Sequence, residues 1–159
     1  MADAPVPPQV SLTASAGHGR TLVYNAGCEK AGDVKVTISM TDLKIDPKFG
    51  SEAGLGIVGE DRSSVTRFDL DIMNELGPMT AKFYKEEGLK ETNNQNFSGE
   101  FHINDTVQIE IVWTEYGATF RFNGEEKVQR IRAPKYIWFM ASGATVNFDQ
   151  IKVTCNQDS

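Results

Sequence analysis

Between residues 33 and 40 the chain reads D-V-K-V-T-I-S-M, with Val34, Val36, Ile38 and Met40 on one side and Asp33, Lys35, Thr37 and Ser39 on the other. A strict period of two is the pattern of a strand with one buried face. It recurs along the chain, and no stretch carries a convincing 3.6-residue helical period. V-T-R-F-D-L-D-I-M sets Phe68, Leu70 and Ile72 against Val65, Arg67, Asp69 and Asp71. Val107, Ile109, Ile111 and Trp113 alternate with Gln108 and Glu110; the chain turns at Glu115-Tyr116-Gly117 and returns through Phe120 and Phe122 to Asn123-Gly124, a tight-turn signal. In A-T-V-N-F-D-Q-I-K-V-T-C, Val146 and Phe148 share a face. After a slip at Asp149-Gln150, Ile151, Val153 and Cys155 share one, the pattern of a β-bulge. The segments T-D-L-K-I-D-P-K-F-G-S-E-A-G and the polar stretch ending in N-N-Q-N-F-S-G read as loops. Nine or ten short strands at regular spacing predict an all-β sandwich or barrel.

A chain of 159 residues suits one domain. Pro5, Pro7 and Pro8 mark residues 1–9 as an extended, disordered tail, leaving 10–156 as the folded unit. The formal net charge of −6 argues against nucleic acid, whose binding rests on Lys and Arg neutralising phosphates. No apolar run approaches the roughly 18–20 residues that a spanning helix needs. The opening M-A-D-A-P-V-P-P-Q resembles a start methionine set before a mature exported end, which predicts a secreted or periplasmic protein; a native cytoplasmic start is the alternative. Cys28 and Cys155 lie near opposite ends of the folded region and either pair with each other or stand as two buried thiols. With no C-x-x-C and only His18 and His102, a structural zinc site is not expected.

The final third holds a strand ending in F-N-G-E, a stretch ending at Pro134, an aromatic strand and then A-T-V-N-F-D-Q-I-K-V. It resembles the concanavalin-like lectin/glucanase superfamily, including laminin-G-type modules and small sugar-associated bacterial domains. The earlier A-G-L-G-I-V-G-E-D-R-S-S-V-T-R-F-D-L-D-I is similar to their central strand pair, and the likeness runs over approximately residues 20–155. It implies a two-sheet antiparallel β-sandwich, a concanavalin-like jelly roll whose concave face is the usual sugar site. Fold alone does not assign function.

One string invites a catalytic reading. Asp69-Leu70-Asp71-Ile72-Met73-Asn74-Glu75 is similar to the E-x-D-x-x-E signature of laminarinase-like glycoside hydrolases on this fold, which would make Asp69, Asp71 and Glu75 the catalytic set. The match departs twice: Asp69 stands where Glu is required, and Glu75 is one residue too far along. Retaining hydrolysis needs two carboxyls about 5–5.5 Å apart, so a shift of one residue matters.

Sugar recognition combines aromatic faces that stack on pyranose C–H groups with planar polar groups that bond hydroxyls. Arg67, Asp69 and Asp71 stand opposite the core-facing set of their strand. K-Y-I-W-F-M-A is apolar on both faces, so Tyr136 and Trp138 either join those polar groups in a sugar platform or belong to a strand buried on both sides. No cofactor is required by this reading. The resemblance adds a calcium variant, for which Asp42, Asp46, Asn147 and Asp149 are the oxygen ligands on offer. The leading expectation is therefore a non-catalytic glycan- or polysaccharide-binding domain. A small glycoside hydrolase and an adhesion module binding protein partners are the alternatives.

Overall fold

The structure, a computed structural model, describes residues 4–45, 48, 50–73, 77–88, 90–103 and 105–156, with the backbone alone at Glu100. The described residues form strands and turns and no helix. In chain order the strands are β1 (Val10–Thr13), β2 (Gly19–Asn25), β3 (Ala31–Thr41), β4 (Ser51–Gly59), β5 (Val65–Ile72) and β6 (Met79–Glu87). They continue as β7 (Lys90–Phe101), β8 (Val107–Thr114), β9 (Gly117–Phe122), β10 (Glu125–Arg130), β11 (Pro134–Ser142) and β12 (Thr145–Asn156). Every strand pairing is antiparallel, in two six-stranded sheets ordered β1-β12-β3-β8-β9-β10 and β2-β11-β4-β5-β6-β7. This is the expected two-sheet sandwich.

Alternation builds the interior. Val34, Val36, Ile38 and Met40 of β3 are buried, as are Val107, Ile109, Ile111 and Trp113 of β8, and Phe68, Leu70 and Ile72 of β5 face them from the second sheet. Rings interlock across the gap: Phe68 lies 4.8 Å from Phe122 and Phe83 lies 5.1 Å from Phe120, centroid to centroid. Asn123 and Gly124 both take positive φ, 52° and 77°, as the two-residue turn between β9 and β10 requires. The slip at Asp149-Gln150 is a bulge: the register of β12 on β3 shifts between Asp149 and Lys152.

Twelve strands replace the expected nine or ten, and the difference has a physical source. The polar segment read as a loop is β7, an edge strand of twelve residues. It has one fully interior anchor, Phe97, and is held in place by its pairing with β6 rather than by its own apolar pattern. Edge strands are solvated along one side and need little alternation. His102 falls just past the end of β7. Residues 4–9 are tied to the sandwich: Asn25 N donates to Ala4 O at 2.9 Å, Ile151 N to Pro8 O at 3.0 Å, and Val6 packs on the core.

Cys28 and Cys155 form a disulfide, with Cα atoms 5.3 Å apart and a sequence separation of 127. It joins the β2–β3 loop to the end of β12. Closing so long a loop stabilises mainly by restricting the unfolded chain, by about 4–5 kcal/mol. Replacing both cysteines with alanine is expected to lower the unfolding free energy by that amount. Guanidinium titrations of the two proteins at equal temperature measure it.

Candidate functional site

The outer face of the second sheet, turned away from the interior, is where the expected site residues lie. Register aligns them in rows. Trp138 of β11 stands beside Gly56 of β4, Gly56 beside Arg67 of β5, and Arg67 beside Tyr84 of β6. The next row runs Met140, Gly54, Asp69, Lys82 and Asn96, and a third places Glu52 opposite Asp71. Glycine at 54 and 56 is required by the indole. A Cβ at Gly54 would stand 2.8 Å from Trp138 Cζ3, and one at Gly56 would stand 3.1 Å from Cε3 and 2.7 Å from the Thr66 carbonyl oxygen. With both absent, Trp138 lies across β4 and reaches β5.

There it meets a guanidinium. Arg67 Cζ sits 4.5 Å from the Trp138 ring centroid and 4.9 Å from that of Tyr84, a cation between two aromatic rings. Arg67 Nε donates to Asp69 Oδ1 at 2.9 Å and Nη2 to Asp69 Oδ2 at 2.6 Å, the bidentate fork that makes Arg–carboxylate pairs directional. The Tyr84 hydroxyl donates to Asp69 Oδ2 at 2.7 Å. Arg67 Nη1 reaches Glu86 Oε2 at 3.3 Å, and Nη2 is 3.7 Å from Glu52 Oε2. Beside this cluster Lys82 Nζ pairs with Asp71 Oδ2 at 2.9 Å, while Asp71 Oδ1 is buried without a hydrogen-bond partner.

Arg67, Asp69, Asp71, Tyr136 and Trp138 therefore share one face, and all are buried, Asp69 to 1% exposure and Trp138 to 8%. Of the two readings open for K-Y-I-W-F-M-A, the strand buried on both sides is the one observed, and no exposed aromatic platform stands at Tyr136 and Trp138. Arg67 covers the indole, and Val58, Tyr136, Trp138 and Met140 form an apolar cluster of their own, separate from the main core. What meets solvent is a rim: Lys82 at 47% side-chain exposure, with Glu52 and Glu86 half-buried. A depression of about 270 Å³ opens beside it, floored by Val23, Val58, Val65 and Trp138 with Arg62 and Glu86 on its edge.

Burial sets the protonation of this face. Desolvation pushes the Glu52 carboxyl up to about 7, reinforced by Asp71 and then Asp69. Desolvation likewise raises Asp69 to about 6, outweighing the opposing pull of Arg67, and it raises Asp71 against Lys82.

Of the hydrolase set, Asp69 has both oxygens engaged, Asp71 is held by Lys82, and Glu75 lies outside the described residues. Of the calcium set, Asp46 lies outside them too. Asn147 accepts from Ser11 Oγ at 2.9 Å and Asp149 from Gln9 Nε2 at 2.7 Å, both on the other sheet, and Asp42 sits in the turn after β3. The fold gathers different carboxylates: one oxygen each of Glu52, Asp69 and Asp71 lie within 4.8 Å of one another. That is an all-oxygen set of the kind hard cations take, although Arg67 and Lys82 already supply positive charge there. Sequence reasoning missed Glu52, Lys82, Tyr84 and Glu86. The last three alternate with Ala81 and Phe83 in T-A-K-F-Y-K-E-E, so period two was the signal that could have found them.

With this geometry in hand, likeness to known proteins is informative for the fold. No family model matches the chain, and no curated protein sequence does. Solved structures do match. A homodimeric agglutinin from chicken liver superposes at TM-score 0.58 and 15% identity, covering 85% of this chain and 100% of that one. Galectin-Ib of Xenopus laevis gives TM-score 0.59 at 14% identity, covering 84% and 99%. The carbohydrate-binding module CBM66 from Bacillus subtilis gives 0.55 at 12%, covering 79% and 75%, and an alginate lyase from Alteromonas gives 0.55 at 10%, covering 79% and 72%. The chain has the concanavalin-like β-sandwich fold.

A carboxyl whose pKa is higher folded than unfolded binds more protons in the native state, so stability falls as pH rises from the unfolded value toward the folded one. For Glu52 that window runs from 4.5 to about 7. Thermal melts between pH 4.5 and 8 are expected to show stability declining through the window. Glu52→Gln should flatten the decline and raise the midpoint at pH 8.

Proposed function

We propose that this chain is a non-catalytic glycan-binding module of an exported protein, and that it binds sugar on the outer face of the second sheet. One observation carries the reading: four charged side chains, Arg67, Asp69, Asp71 and Glu52, are buried or half-buried on a sheet face that the main core does not use. A buried ion pair is replaceable by apolar residues with little loss of stability, so stability alone gives no reason for it. Held rigid by two aromatic rings and a bidentate fork, the cluster presents fixed acceptors and donors, which is what hydroxyl recognition needs.

In this reading Glu52, Glu86, Lys82 and Asn96 bond the sugar hydroxyls, and the Val23, Val58, Val65 and Trp138 floor takes an apolar C–H patch. Arg67 and Asp69 are positioning residues that set the rim carboxylates. Hydrolysis is less favoured, because Asp69 accepts three hydrogen bonds and has no open approach for a nucleophile's role. The matching structures, an agglutinin, a galectin and a carbohydrate-binding module, support the class of ligand. The Cys28–Cys155 bond fits an oxidising compartment outside the reducing cytosol.

A glycan array, run with and without calcium, tests the proposal, with hits repeated on Glu86→Gln and Asn96→Ala. Both positions are on the solvent-facing rim, so the variants are expected to melt with the parent while losing at least tenfold in affinity. A blank array from well-folded protein, or hits unchanged in both variants, would contradict it.

A further inference from the structure

At the end of the sandwich marked by the disulfide lies an open groove of about 930 Å³, within the size range of small-ligand sites. Three walls are pinned to the 131–135 segment by backbone hydrogen bonds. Ala26 N donates to the Lys135 carbonyl at 2.9 Å. Ile131 N and Ala133 N donate to Tyr116 O and Glu115 O at 3.0 Å each, and Glu60 N donates to Ala133 O at 2.9 Å. At the junction Ala133 holds φ at 51°, a left-handed conformation unfavourable for a residue with a Cβ, and the surrounding bonds keep it there. The groove is pre-formed.

Its charges are unevenly matched. Lys30 pairs with Glu115 at 3.7 Å and Lys135 with Glu60 at 4.0 Å. Arg130 and Arg132 line the groove, and among the described residues neither side chain makes a hydrogen bond or ion pair; Arg132 acts on Asp61 only at a distance, and Glu29 is the remaining carboxylate. Two guanidinium groups without a bonded partner thus share the groove with one unpaired acid, Glu29, while Asp61 lies beside Arg132 on the adjoining surface, in a protein whose formal charge is −6. Beside them Tyr116 is 76% exposed, the one large aromatic on the open surface of the described residues. Planar forks recognise carboxylate and sulfate oxygens in pairs, and an exposed phenol ring offers a stacking face.

We propose that this groove is a second binding site, for acidic saccharides: Arg130 and Arg132 take the carboxylate or sulfate, and Tyr116 packs against the sugar ring. A saccharide suits it better than an acidic peptide. The backbone N–H groups of Ala26, Glu60, Ile131 and Ala133 are already bonded within its walls, and the free edge of β10 reaches the groove only at Arg130, which leaves too short an edge for an extended chain to join. The site is independent of the sheet-face reading, and the two can fail separately.

Titration calorimetry of the intact protein with three oligosaccharides of equal length, bearing uronate, sulfate or no charge, tests it. Saturable binding of at least one acidic oligosaccharide and not of the neutral one is expected. Which acidic arm binds identifies the anion. The double variant Arg130→Ala/Arg132→Ala should weaken binding at least tenfold with an unchanged melting temperature, and Arg130→Lys/Arg132→Lys should not restore it. Gln108→Ala, exposed on β8 of the first sheet, should leave it unaltered. The proposal is overturned if neither acidic oligosaccharide binds, or if the alanine pair or the lysine pair binds as the parent does. Capture of an acidic peptide in place of both saccharides would overturn it in favour of a protein partner.

Discussion

The passage of Trp138 across β4 is the contact on which the outer face depends. Two side-chain-free positions, Gly54 and Gly56, let the indole lie flat on a neighbouring strand and meet Arg67 one strand further on. From that meeting the rest follows. Arg67, fixed between Trp138 and Tyr84, draws Asp69 into a bidentate pair, and its remaining N–H groups turn toward Glu86 and Glu52. An arginine without that seat would extend into water, where an exposed ion pair is worth only about 0–1 kcal/mol.

The same crowding explains the electrostatics. Glu52, Asp69 and Asp71 are drawn out of water and close to one another, so each holds its proton to higher pH than a free carboxyl. Arg67 and then the Tyr84 hydrogen bond relieve part of this at Asp69, which sits only near 6 despite its burial, and Lys82 relieves part of it at Asp71. Perturbed carboxyls gathered on one face of a sheet are a pattern that functional sites share with structural ion-pair networks. The disulfide end of the sandwich differs in kind: there the side chains are exposed, and the backbone is what is fixed.

Much of this was legible in the sequence. Period two in β3, β5, β8 and β12 predicts which side of each strand is buried, and the bulge at Asp149-Gln150 shows as a change of parity. It also places Arg67, Asp69 and Asp71 together on the non-core side. What it could not show is how far those side chains are buried, because burial on an outer face comes from neighbours across strands. Those neighbours, Glu52, Lys82, Tyr84 and Glu86, are brought in by register. Nor could alternation reveal β7, a polar edge strand defined by its partner. The groove at Arg130 and Arg132 was invisible for a third reason: its walls come from segments distant in sequence and joined by backbone bonds and two ion pairs that no local pattern encodes.

On the proposed reading, the buried charges of the outer face serve recognition rather than folding. A double-mutant cycle on Arg67→Met and Asp69→Leu measures this most directly, with unfolding free energy and glycan affinity read on each protein. Each single variant strands a buried charge and should lose about 3–5 kcal/mol, whereas the double variant should recover most of that loss. This refolded double variant is expected no longer to bind glycan. A stable double variant that binds as the parent does would contradict it.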